Sequence, residues 1–265
     1  MKTEKARVHF TCQSLISPYN PVTVNLIGAG GTGSKVLTAL LEMNHSLIAL
    51  GHPGLTVRLW DDDVITEANL GRQRFAESEV GLYKSVALIN RVNRFAGTAW
   101  KAETVKFERD SNGRQPEHSD ATLYLSCVDS VAARFEIAKI LKAHDGRGHN
   151  QPRYWMDFGN SHKTGQVILA TVGKLPQPES KKYTPVPNLP FVTDAFGELL
   201  LQSETQDDTP SCSLAEALLK QDLYINAALA QLGCSLLWNL FREGMTAYRG
   251  FFLNIADFRA QPMPV

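Results

Sequence analysis

The run Val22-Thr23-Val24-Asn25-Leu26-Ile27-Gly28-Ala29-Gly30-Gly31-Thr32-Gly33-Ser34 decides how this chain is read. Its first six residues form a short β-branched stretch, and Gly31 to Leu41 then follows helical periodicity, so the segment reads as strand, glycine turn, helix. Gly28, Gly30 and Gly33 fit GxGxxG at that junction, where glycines permit a tight turn and the helix N-terminus presents unpaired N–H groups to a phosphate. Alone, the motif indicates a nucleotide, usually a dinucleotide, with a glycine turn chosen for close helix–strand packing as the lesser alternative.

Similar elements continue downstream. Leu55 to Trp60 reads as a strand, Tyr83 to Phe95 as a helix, Ala121 to Cys127 as an apolar strand and Val131 to Leu141 as a helix, an alternation that implies a parallel sheet. Tyr154 to Phe158 and Gly165 to Val172 read as two further strands that leave strict βαβ order, so the sheet is expected to be mixed. Residues 173–210 hold six of the thirteen prolines and read as a long crossover loop. Ser213-Leu214-Ala215-Glu216 reads as a capping box opening one long helix, with Leu214, Leu218, Ile225, Leu229, Leu232, Leu236 and Leu240 on its apolar face. A single domain over 1–265 is expected: an N-terminal segment 1–21, a nucleotide-binding core 22–172, the crossover loop 173–210, and a C-terminal helix and tail 211–265.

Composition narrows the function classes. With 43% hydrophobic and 20% charged residues the chain is a folded globular one. The 27 Lys and Arg balance 27 Asp and Glu, which gives no overall electrostatic footprint for nucleic acid or an anionic membrane. No apolar leader or spanning window is present, so a cytoplasmic location is expected. Cys12, Cys127, Cys212 and Cys234 form no CxxC pair and the histidines no helical metal pair, so no zinc site is expected.

Polar residues gather after the strands. The second strand runs into Asp61-Asp62-Asp63, where one carboxylate could accept from ribose hydroxyls, while Asn69, Arg72 and Gln73 add donors suited to a triphosphate. Lys84 opens a helix, a position the helix dipole disfavours for a cation unless an anion such as phosphate is near. Asp129 follows the third strand at its carboxyl end and could hold Mg²⁺; alternatively Asp129 or Ser130 caps the next helix. Cys127 and Cys234 read as buried small hydrophobes. Cys212 precedes a helix whose N-terminus would favour thiolate, and reads either as a nucleophile or as a packing residue.

Taken together, GxGGxGS, DxD followed by NxxRQ, a helix-start lysine and a strand-end CxD resemble the ThiF/MoeB/HesA superfamily, adenylating enzymes that activate ubiquitin-like and sulfur-carrier proteins. The resemblance covers residues 20–172 and, more loosely, the remainder, where Pro210-Ser211-Cys212-Ser213 is most similar to ThiF-family members of bacterial PRTRC cassettes. It implies a Rossmann-like α/β fold, with ATP held by Gly28, Gly30, Gly31, Gly33 and either Asp61 or Asp63. By the same resemblance Asn69, Arg72, Gln73 and Lys84 would meet the phosphates and Asp129 would bind Mg²⁺. Gly159-Asn160 and Gly165-Gln166-Val167 would cradle the tail of a carrier protein.

The implied reaction is ATP- and Mg²⁺-dependent adenylation of the C-terminal carboxylate of a small ubiquitin-like, β-grasp protein, followed by a thioester if Cys212 is a nucleophile. A homodimer is also implied, although the arginine that reaches across the dimer in this family has only Arg7 as a loose counterpart. A dinucleotide-dependent oxidoreductase would leave NxxRQ, Lys84 and Asp129 unexplained, and an inactive binding scaffold would be expected to have lost them.

Overall fold

Side chains along a strand point alternately to its two faces, so continuous apolar strands let one sheet carry two cores. The computed structural model describes residues 5–70, 73–144, 151–203 and 221–265. Its elements run β1 (Arg7–Phe10), α1 (Gln13–Ile16), β2 (Val22–Ile27), α2 (Gly33–Ala49), β3 (Leu55–Trp60), α3 (Lys84–Ala96), β4 (Lys101–Glu103), β5 (Leu123–Ser126) and α4 (Val131–Lys142). They continue with β6 (Tyr154–Asn160), β7 (Thr164–Thr171), β8 (Thr184–Pro185), α5 (Val192–Ala195), α6 (Gly197–Ser203), α7 (Ile225–Arg242), β9 (Met245–Thr246), β10 (Tyr248–Asn254) and β11 (Arg259–Pro264).

The main sheet has the order β11-β10-β7-β6-β5-β2-β3-β4. Strands β4, β3, β2, β5 and β6 are parallel, whereas β7, β10 and β11 each pair antiparallel with their neighbour, which makes the sheet mixed as expected. Leu123, Leu125, Met156, Phe158, Val167 and Leu169 point to one face, packed with α2, α3 and α7 residues such as Leu37, Leu88 and Leu237. Tyr124, Trp155, Ile168 and Ala170 point to the other, with Val131, Ile137 and Leu141 of α4 and Val192 of α5. Burial on both faces explains why these strands read as continuous apolar runs.

From β2 the chain builds outward through β3 and β4, then returns to lay β5 on the opposite side of β2. The strand order therefore reverses between β2 and β5, and in open α/β sheets ligands bind in the crevice beyond the carboxyl ends at such a point.

The N-terminal segment 1–21 carries β1, which forms a small second sheet between β8 and β9. Three expectations need correction. The stretch expected as the loop 173–210 is not structureless: β8, α5 and α6 lie within it, and the Gln177 side chain accepts from Phe10 N–H at 2.8 Å and donates to the Phe10 carbonyl at 3.0 Å. The C-terminal helix begins at Ile225 after the non-helical turn at 221–224, while Ser213–Glu216 and Leu218 fall outside the described residues. Its buried stripe is Ile225, Asn226, Leu229, Ala230, Gly233, Cys234, Leu237, Leu240 and Phe241, and Leu232 is exposed. This stripe is wider than the leucine series because α7 packs against α2 as well as β6 and β7. The chain beyond α7 is not a tail: β10 and β11 extend the main sheet, and the exposed edge strand β11 carries Pro262 and Pro264, which cannot donate to a further strand. Among the described residues no helix is long and apolar enough to cross a membrane.

Candidate functional site

The glycine turn lies at the reversal point, and its glycines do different work. Gly28 has a φ of +96°, and a Cβ on it would stand 2.6 Å from the Cys127 carbonyl oxygen, so the ends of β2 and β5 touch there. Gly28 N–H donates to the Trp60 carbonyl at 2.8 Å, which joins the same turn to β3. A Cβ on Gly33 would collide with the Gly28 carbonyl, and one on Gly31 would lie 2.5 Å from Asn226 Nδ2. Gly30 alone of the four faces open space. Packing therefore accounts for Gly28, Gly31 and Gly33, and the cradle-like opening is at Gly30. Thr32 precedes α2 but gives its hydroxyl to Asn226 Oδ1 (2.8 Å) and does not cap the first helical amides.

Asp61 anchors this turn. Its Oδ2 accepts from Ala29 N–H at 2.6 Å and its Oδ1 from Asp63 N–H at 3.1 Å. Burial raises its carboxyl pKa above the ordinary value, opposed by the Ala29 hydrogen bond and the charge of Lys84. Asp63 has a mainly exposed carboxylate that pairs with Lys84 Nζ at 2.7 Å, and Lys84 N–H donates to the Asp63 carbonyl at 2.9 Å. Lys84 does open α3 and has an anion beside it, but that anion belongs to the chain itself.

Between these residues, Asn69 closes a 3-10 turn (Glu67–Asn69) by accepting from Thr66 N–H at 2.9 Å. Gln73 is buried, its N–H donates to the Asn69 carbonyl at 3.0 Å, and its Oε1 has no partner among the described residues. Arg72 and Cys212, both singled out from the sequence, lie outside the described residues.

At the end of β5 the cap of α4 is Ser130, whose Oγ accepts from Ala133 N–H at 3.2 Å. The Asp129 carboxylate is left exposed at the carboxyl edge. Among the described residues no group of three or more His, Cys, Asp or Glu could hold a metal. A single carboxylate nevertheless suits Mg²⁺, which keeps waters and is completed by substrate phosphates. Cys127 is only partly buried, a correction to its reading as a core residue, yet desolvation pushes its thiol well above the usual range, with Asp157 nearby adding to the effect.

Beneath Asp129 sits a buried ion pair. Arg134 Nε lies 3.1 Å from both Asp157 oxygens, Arg134 Nη2 donates to the Val128 carbonyl at 2.7 Å, and Nη1 reaches the Asp129 and Ser130 carbonyls at 3.4 and 3.3 Å. Ser126 Oγ completes the set on Asp157 Oδ1 at 2.6 Å. Across the β6–β7 hairpin Gly159 pairs with Gln166 and Asn160 with Gly165. Both glycines are filled, Gly159 by the Gln166 amide and Gly165 by Leu229, so this stretch offers close packing rather than an open cradle, with Asn160 exposed at its end. Arg7 is exposed at the start of β1.

Three residues of this edge were not foreseen: Asn226, Arg134 and Asp157. Each carried a signal. Asn226 falls on the buried stripe of its helix, Arg134 is three residues from both Val131 and Ile137 on the apolar face of α4, and Asp157 interrupts the run Tyr154-Trp155-Met156-Phe158. A buried acid and a buried arginine on facing elements call for each other.

A family model described as ThiF family matches residues 18–236. Among solved structures, PaaA superposes with a TM-score of 0.61 at 15% identity, over 92% of this chain and 72% of that one. Escherichia coli MccB in its structure with ATP gives a TM-score of 0.54 at 15% identity, over 92% of this chain and 63% of that one. MccB with AMPCPP and MccA gives 0.57 at 13% identity and the same two coverages. The chain thus spans under two thirds of MccB, and at these identities the likeness is one of fold. No curated protein matches the chain.

Proposed function

The chain belongs to the ThiF family, and from that premise we propose that it adenylates a carboxylate of a small protein or peptide at the expense of ATP. The observation that carries this reading is that the open backbone at Gly30, the Asp63–Lys84 pair and the exposed Asp129 carboxylate follow the carboxyl ends of the adjacent strands β2, β3 and β5, where the strand order reverses. MccB, a neighbour in fold, has been crystallised with ATP and with MccA, which agrees with it. In the reaction proposed, a carboxylate oxygen bonds to the α-phosphorus, the bond from that phosphorus to the bridging oxygen of the β-phosphate breaks, and pyrophosphate leaves.

The protein supplies position and charge. Gly30 admits the phosphates to the α2 N-terminus, Lys84 and Arg72 offset their charge, and Asp61 or Asp63 serves the ribose. Asp129 would hold Mg²⁺, which spreads charge over the leaving phosphates. Within the same proposal, the chain is of PRTRC type, the substrate is the C-terminus of a ubiquitin-like or sulfur-carrier-like protein, the enzyme is a homodimer, and the Cys212 sulfur bonds to the acyl carbon of the adenylate, giving a thioester as the acyl–phosphate bond breaks and AMP leaves.

Calorimetric titration with ATP and Mg²⁺, with NAD and NADPH in parallel, tests the reading. ATP should bind the wild type, bind Asp129→Ala more weakly, and meet no competition from a dinucleotide; once a carrier is in hand, Asp129→Ala should lower adenylation by roughly 10²-fold. Tight dinucleotide binding without ATP binding would overturn it.

A further inference from the structure

One buried amide ties the glycine turn to the end of β6. Asn226 is 1% exposed in the first turn of α7, on an otherwise non-polar buried stripe that includes Ile225, Leu229, Ala230 and Gly233. Its Oδ1 accepts twice, from Thr32 Oγ1 at 2.8 Å and from Asn160 Nδ2 at 3.0 Å. Its Nδ2 donates to Gln221 Oε1 at 2.8 Å and occupies the space a Gly31 side chain would need. Both lone-pair positions of the carbonyl are therefore in use, along with one of the two N–H groups. A buried amide that loses a partner carries the desolvation penalty of the unpaired atom, so a change at one arm is felt at the others.

The two arms on Oδ1 lead to different places. Thr32, with Gly31, belongs to the turn that leaves Gly30 open, while Asn160 is an exposed side chain at the carboxyl end of β6. An extended peptide reaching that end offers backbone carbonyls or a terminal carboxylate, the groups that compete for an amide donor.

We propose that Asn226 is a positioning residue that couples occupancy of the β6 end, by a peptide backbone drawing on the Asn160 amide, to the geometry of the glycine turn. Its consequence for catalysis rests on the adenylation reading above; the coupling itself does not. Asn160 is exposed, so Asn160→Ala cuts one arm without opening the core, and Thr32→Val cuts the other at constant shape.

The experiment compares the full chain with both single variants and the double variant. It reads amide hydrogen exchange over residues 28–34 without ligand, affinity for ATP with Mg²⁺, and thermal unfolding. Asn160→Ala should speed exchange in the glycine turn and weaken ATP binding, each by roughly fivefold, and should add little in the Thr32→Val background because the link is already cut. Unchanged exchange over 28–34 in Asn160→Ala, even with a lowered unfolding temperature, would show a merely structural bond and overturn the coupling. Faster exchange over 28–34 in Asn160→Ala, together with no ATP binding by the wild type, would keep the coupling and remove the nucleotide reading instead.

Discussion

Lys84 Nζ stands 2.7 Å from Asp63 Oδ2, with the lysine side chain 10% exposed and the aspartate 66% exposed. The pairing answers the electrostatic difficulty of a cation at a helix start, and it holds the ammonium at the sheet edge where the glycine turn opens. Because Asp63 is well solvated, breaking the pair costs little stability, about 1 kcal/mol or less. Lys84→Met keeps the buried volume and should leave thermal unfolding nearly unchanged while lowering affinity for ATP with Mg²⁺ by roughly tenfold or more. ATP affinity equal to that of the wild type would confine Lys84 to pairing with Asp63.

The glycines can be separated by the same two measurements. Gly33→Ala puts a methyl against the Gly28 carbonyl, a backbone atom that cannot swing aside, and should cost several kcal/mol of stability. Gly30→Ala meets nothing within 4 Å and needs no left-handed backbone, so its unfolding temperature should match the wild type. If phosphates enter at Gly30, ATP binding is nevertheless lost in that variant; retained binding would place the ligand elsewhere.

Local pattern and tertiary context divide what was legible in the sequence. The glycine turn, the parallel strands, Lys84 at a helix start and the existence of β6 and β7 follow from spacing alone, because each is set by neighbours a few residues apart. Strand β1 did not: four residues pair with β8 and β9 more than 170 positions away, and no local period announces such a partner. Strands β10 and β11 escaped for another reason. Only part of β10 is buried and β11 is almost wholly exposed, so neither shows the apolar alternation of a covered strand. At the site, the acids and donors were visible by type, but their division of labour was not, since Asp61 and Asp63 are told apart only by what each touches.

Arg134 and Asp157 make a prediction that separates fold from site. Arg134→Met strands a buried carboxylate and should cost about 3–5 kcal/mol, a fall of roughly 10 °C in the unfolding temperature. The double variant Arg134→Met with Asp157→Leu removes both charges and should recover much of that stability. It should not recover the site, because the carbonyls of Val128, Asp129 and Ser130 lose the guanidinium that gathers them. Magnesium-dependent ATP binding should therefore stay weak in a stable double variant; full binding there would make the pair a purely structural one.

The N-terminal strand brings a titration that can be read on its own. His9 is fully buried, with Nδ1 2.7 Å from the Val186 carbonyl and Nε2 2.9 Å from Tyr154 Oη, so the neutral ring donates at Nδ1 and accepts at Nε2. Burial lowers its pKa below 6.5, against the smaller opposing pull of the Val186 carbonyl. The unfolded chain thus takes up a proton at a higher pH than the folded one. Stability from this group is complete above pH 6.5 and is lost as the pH falls from there toward the folded-state pKa, at up to about 1.4 kcal/mol per unit. His9→Gln cannot titrate and should lose less stability between about pH 7.5 and about pH 5.5 when the two are compared by denaturant unfolding. Since His9 joins β1 to the segment around Val186, the wild-type loss should come with faster hydrogen exchange at Val186, whose N–H donates to Val8. Parallel pH profiles for the two proteins would mean that the imidazole is not desolvated by the packing of β1 on Tyr154.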